Sequence, residues 1–148
     1  MTQEELPLYA SNEKYELFHN LKMKILNHGT IKKKNIKVKD SSLGNSNISN
    51  IQLDNAKLYN VNMQNSVFKF CNIKNSKLVS TNLGRSILQN IIFYNVTFMN
   101  VDFSYATLSN IIFINCTFED CNKYRSCFKE NISFYNCVPN EVEKQIWS

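Results

Sequence analysis

SILQN IIFYN VTFMN VDFSY ATLSN IIFIN CTF, residues 86–118, decides the fold. Read in fives, its third position is always large and apolar: Leu88, Phe93, Phe98, Phe103, Leu108, Phe113 and Phe118. Its first position is smaller: Ser86, Ile91, Val96, Val101, Ala106, Ile111 and Cys116. Working outward, the beat runs back through Leu83, Leu78, Ile73, Phe68, Met63, Leu58, Leu53 and Ile48 to Leu43 without a miss. A smaller partner stands two residues before each, as at Ser41, Ala56, Cys71 and Thr81.

A period of five suits no straight element. Residues five apart point to opposite faces of a strand and lie about 140° apart on an α-helix, so neither could keep these side chains in one core. The backbone must change direction once per repeat and wind into a solenoid of stacked coils. Asn stands before the small residue in most units, as at Asn55, Asn60, Asn75, Asn95 and Asn115. Asn tolerates unusual backbone angles and bonds to nearby backbone, which suits a corner.

The units Ala56-Lys57-Leu58-Tyr59-Asn60 and Ala106-Thr107-Leu108-Ser109-Asn110 resemble the pentapeptide-repeat family, whose pattern is A-(D/N)-L-x-x. The resemblance implies an all-β solenoid, a right-handed four-sided β-helix with four repeats per coil. One departure is that Asn here mostly precedes the small residue, where the family often has Asp or Asn after it. With four repeats per coil, Asn55, Asn75, Asn95 and Asn115 are expected to stack about 4.8 Å apart as an amide ladder.

A solenoid exposes core and strand edges at its ends unless they are capped. Residues 1–35 read as an N-terminal cap and lead-in. Within it an amphipathic helix over 13–28 begins after Asn12, buries Phe18, Leu21, Ile25 and Leu26 on one face, and stops at Gly29. The repeat region spans 36–138. Lys123 interrupts the beat, Phe128 returns to it, and Ile132 with Phe134 falls one residue late, which places a bulge or loop between Glu130 and Ile132. Residues 139–148 read as a short helix capped by Asn140. In gyrase-interacting members of the family the C-terminal end commonly forms a homodimer, so the resemblance implies a dimer contact through Ile146 and Trp147.

Composition narrows the function classes. The chain has 148 residues and formal net charge +5, with no apolar run near the length of a membrane span. Its acidic, Pro7-containing start does not resemble a secretory signal, and the expected location is cytoplasmic. The sequons at Asn47, Asn95, Asn115 and Asn131 read as by-products of Asn-rich repeats. Cys71, Cys116 and Cys121 fill the small inward position as compact hydrophobes. The gaps among Cys116, Cys121, Cys127 and Cys137 lack the paired spacing of a zinc site, so neither metal nor cofactor is expected. Between residues 41 and 118 there is no His, and Asp54 and Asp102 are the only carboxylates. They stand more than about 10 Å apart along the stack, too far to cooperate, and the chain is read as having no catalytic residues.

The outward positions carry what remains. In steps of twenty, Lys37, Lys57 and Lys77 form one column, with Lys39 and Lys74 nearby, an anion-binding candidate that is also an ordinary way to keep a β-surface soluble. Higher up, Ile92 over Ile112 and Tyr94 over Ile114, with Tyr59, Val79 and Met99 on the adjoining side, form a candidate partner surface. Three readings follow: a non-enzymatic scaffold or protein-interaction module, a binder of nucleic acid or another anionic surface through the Lys column, and, by resemblance, a topoisomerase-interacting protein of the quinolone-resistance type. Some family members reach the last role by mimicking DNA, which needs regular negative charge where this surface offers Lys.

Overall fold

The computed structural model describes residues 31–40, 42–121 and 127–138. The expected helices over 13–28 and 140–148, and with them Ile146 and Trp147, lie outside the described residues. Eight strands follow in order: β1 (Ile31–Lys39), β2 (Asn47–Ser49), β3 (Ile51–Tyr59), β4 (Val67–Val79), β5 (Ile87–Met99), β6 (Thr107–Ile114), β7 (Thr117–Glu119) and β8 (Phe128–Tyr135). All pairings are parallel, and from β1 through β7 each residue pairs with the one twenty places on, as in Ala56 over Ile36 and Phe93 over Ile73. Twenty residues therefore close one coil, four pentapeptides to a turn.

The corner is visible in the backbone. Every fifth residue from Asn35 to Asp120 has positive φ, between 48° and 61°. That left-handed conformation is disfavoured for L-residues by about 1–2 kcal/mol, and Asn tolerates it best after Gly. The corners divide each coil into four walls. The first holds residues 51–54 and their equivalents above and below, the second 56–59, the third 61–64 and the fourth 66–69. The third wall has turn geometry, joined from coil to coil by isolated bridges along Ser42, Asn62, Asn82 and Asp102. There the side chain shapes the turn: Asn82 Oδ1 accepts from Gly84 N–H at 2.8 Å, and Asp102 Oδ1 accepts from Ser104 N–H at 2.8 Å.

Amide ladders bind corner to corner. Asn55 donates to Asn35 at 2.6 Å, Asn95 to Asn75 at 2.8 Å and Asn136 to Asn115 at 2.7 Å. The expected column departs from regularity at Asn75, whose Nδ2 donates to Asp54 at 3.0 Å. Corners without Asn find other contacts. Arg85 lies 4.9 Å from the Tyr105 ring one coil above, a cation–π contact that offsets part of the strain at both residues.

Inside, the two halves are filled differently. From Phe93 upward the core is aromatic: Phe93 stacks on Phe113 at 5.2 Å, Phe113 on Phe134 at 5.0 Å and Phe98 on Phe118 at 4.9 Å. Edge contacts such as Phe93 to Phe98 at 5.1 Å tie these stacks together. Below, the same columns carry Leu53, Ile73, Leu58 and Leu78, which line an apolar cavity of about 80 Å³. The small inward position also admits hydroxyls and thiols, because each finds a carbonyl. Ser86 Oγ donates to Met63 O at 2.8 Å, and Cys116 Sγ to Phe93 O at 3.4 Å.

At the far end the register corrects the sequence reading. Phe128 pairs with Thr107 and Lys129 with Leu108, so the shift to a twenty-one-residue step is complete before Phe128. The extra residue lies between Cys121 and Phe128, and not between Glu130 and Ile132. Phe128 consequently points outward, 58% exposed, and the inward place falls to Lys129.

Candidate interaction surface

Among the described residues the inward positions are given over to the core, so chemistry is presented by the outward pair of each repeat and by the corners. On the third wall that pair is Asn, Gln, Ser, Gly or Asp. Asp102 is occupied in its turn and Asp54 accepts from Asn75, so the two carboxylates serve local structure. Among the described residues no group of three or more His, Cys, Asp or Glu comes together at metal-binding distance. No described helix is long and apolar enough to cross a membrane.

The thiols are chemically quiet. Burial pushes Cys116 up to about 12, Cys137 beside it adding to the rise, and burial pushes Cys127 up to about 11. Cys71 and Cys121 are raised by the same cause. A thiol held protonated is a poor nucleophile.

The second wall carries the expected basic column. Lys37 pairs with Lys57, Lys57 with Lys77, and the column then passes to Thr97 and Thr117. Lys37 Nζ sits 5.7 Å from the Tyr59 ring, which gives one of the three an aromatic contact within the wall. The outer column of that wall runs Lys39, Tyr59, Val79, Met99, Glu119.

The first wall changes character with height. One column runs Lys32, Gln52, Asn72, Ile92, Ile112, Ser133 and the other Lys34, Asp54, Lys74, Tyr94, Ile114, Tyr135. The lower part is a groove of about 510 Å³ between Lys32, Lys34 and Lys74, with Leu53 and Ile73 at its base. The upper part is apolar: Ile92 is 39% exposed, Tyr94 44% and Tyr135 57%, while Ile112 and Ile114 are half-buried.

The seven residues read from the sequence as one partner surface thus fall on two walls. Between the Tyr94 column and the Met99 column stand the Asn75 and Asn95 corners and the column Lys77, Thr97, Thr117. Ile92, Tyr94, Ile112 and Ile114 form one patch, and Tyr59, Val79 and Met99 form a separate stripe. Tyr135 was missed because the outward columns were read no further than Ile112 and Ile114. The spacing of Ile132, Phe134 and Cys137, which repeats the inward pattern, carried the signal. Phe70, Ile87 and Phe128, also exposed, belong to the fourth wall and its corner.

Profiles described as pentapeptide repeats match residues 46–85 (8 copies) and 93–138 (9 copies), together more than half of the chain. The chain belongs to the pentapeptide-repeat family. Among solved structures, this pentapeptide-repeat protein is similar to trypsin-treated QnrB1, described as a plasmid-mediated fluoroquinolone resistance protein. The two are 11% identical over 81% of this chain and 72% of that one, with a TM-score of 0.48. It is also similar to the pentapeptide repeat protein Rfr23 from the cyanobacterium Cyanothece 51142, at 16% identity over 76% of this chain and 67% of that one, with a TM-score of 0.28. No curated protein matches the chain by sequence.

Proposed function

We propose that this pentapeptide-repeat protein is a non-enzymatic interaction module that holds a partner protein against the upper first wall. The observation that carries the reading is the registered patch of exposed Ile92, Tyr94 and Tyr135 and half-buried Ile112 and Ile114, in two adjoining columns. A β-ladder fixes these side chains at about 4.8 Å intervals on a wall whose backbone groups are already paired, so recognition falls to the side chains. Contiguous apolar surface of this kind marks interaction sites on soluble proteins.

The test is a photo-cross-linking side chain at position 112, set against the same group at position 62 on the polar third wall. The reading expects a discrete adduct from position 112 that disappears when Ile92→Asp is added. Equal adducts from both positions, or none from 112, would remove it.

A second reading rests on the Lys37, Lys57 and Lys77 column, whose registered like charges repel unless they splay into solvent or meet an anion. It makes the second wall a binding site for nucleic acid or another polyanion. A topoisomerase partner is a special case of the first reading, reached without mimicry of DNA because the walls present Lys. Its assay is supercoiling by gyrase with and without micromolar protein.

A further inference from the structure

The first wall has two ends of different chemistry, and together they specify more than an apolar contact. We infer that it takes an extended segment of a partner protein, acidic at one end and apolar at the other, laid parallel to the solenoid axis with its acidic end toward β1. This rests on the proposed role in protein binding and specifies the partner's chemistry.

The lower groove, about 510 Å³, is bordered by Lys32, Lys34 and Lys74. Among the described residues its charged groups are the ammoniums of Lys32, Lys34 and Lys74 and the Asp54 carboxylate, three positive charges against one negative. Asp54 accepts a hydrogen bond from Asn75 at 3.0 Å, which draws it toward the corner. Leu53 and Ile73 at the base are half-buried, unlike the enclosed Phe93 and Phe113 in the same column above. The groove therefore combines charge complementary to carboxylates with an apolar base.

Directly above, the same two columns become Ile92 and Tyr94, then Ile112 and Ile114, and end beside Tyr135. From the Lys34 row to the Tyr135 row is five coil steps, roughly 24 Å at about 4.8 Å per step. An extended chain covers that in about seven residues at about 3.3 Å each. The match is to a linear segment. A nucleic-acid strand would need basic contacts along its whole path, and these columns carry no Lys or Arg above Lys74.

The experiment pans a random dodecapeptide phage library on the full chain and measures the enriched peptides, fluorescently labelled, by anisotropy. Enriched peptides should carry two or more Asp or Glu on one side of large apolar residues. Their affinity should fall at least fivefold in Lys34→Glu/Lys74→Glu and at least fivefold in Ile112→Asp, each variant keeping the wild-type circular dichroism. Peptides without an acidic end, or a loss under fivefold in the Lys variant alongside a large loss in Ile112→Asp, would overturn the inference and leave apolar protein binding standing. Indifference to Ile112→Asp as well, or no enrichment, would overturn both.

Discussion

Replacing Leu78 by Phe should stabilise this protein, because the aromatic stack stops one coil above a cavity it could fill. Leu78 is 5% exposed and stands directly under Phe98, which already stacks on Phe118 at 4.9 Å with planes 5° apart. It also lines the apolar cavity of about 80 Å³. At roughly 24 cal/mol per Å³, the whole volume corresponds to about 2 kcal/mol, and the part of it that one Leu-to-Phe change fills, about a third, to roughly 0.6 kcal/mol. A new ring pair adds about 0.5–1.5 kcal/mol, and a ring that expands into empty space incurs repacking strain at the low end of about 1–3 kcal/mol. These give a net gain of about 0.5 kcal/mol. The assay is equilibrium urea unfolding followed by circular dichroism and by tyrosine fluorescence. With a slope of about 2 kcal/mol/M, the midpoint should rise by about 0.25 M. Phe98→Ala is the paired control in the filled half and should cost about 3–5 kcal/mol, for a ring that is 0% exposed. A midpoint lowered by 0.5 M in Leu78→Phe, with Phe98→Ala behaving as expected, would show that the lower half is already as tightly packed as the upper and refute the reasoning.

Phe70 occupies a left-handed corner with φ 57° and is 57% exposed, so Phe70→Asn should gain about 1 kcal/mol in the same urea assay. Tyr105→Asn should gain less, since it gives up the Arg85 contact. Thiol burial makes a prediction for alkaline solution. Cys116 is held at about 12 against an ordinary 9.0, so its folded pKa is the higher one. Its contribution to stability is complete below about pH 9 and is lost as pH rises toward 12, which thermal melts at increasing pH should register as a falling midpoint. Replacing Lys37, Lys57 and Lys77 together by Glu should abolish any salt-dependent retention on heparin; unchanged retention would remove the second wall as a polyanion site.

How much of this could be read from the chain follows from which side chains the repeat constrains. The inward positions are held by the core, so a period of five in Leu, Ile, Met and Phe was enough to give a solenoid of stacked coils, while the four repeats per coil came from the resemblance to the pentapeptide-repeat family. The corners were legible through Asn, although Phe70 and Tyr105 show that left-handed backbone is imposed by the coil even where the residue resists it. The outward positions were legible only as columns. Whether two columns touch depends on the corner between them, and the Asn95 corner with Thr97 separates Tyr94 from Met99.

The stack's upper end shows why the last step of register was placed a few residues too late. A large apolar residue on the beat was read as inward, and Phe128 satisfied that rule while Lys129 violated it. The structure prefers the opposite assignment because the offset of twenty-one that sets Ile132, Phe134 and Cys137 in the columns of Ile111, Phe113 and Cys116 already holds at Phe128, Lys129 and Glu130. Phe134 then stacks on Phe113 at 5.0 Å and Cys137 Sγ donates to Phe113 O at 3.4 Å. Reading Phe128 inward would require the extra residue inside β8, between Glu130 and Ile132, and would break a ladder that runs from Phe128 to Tyr135 at one offset. Collective register therefore outweighs a single hydrophobic position, and it is the same register that sets Tyr135 beside Ile114 and completes the apolar end of the first wall.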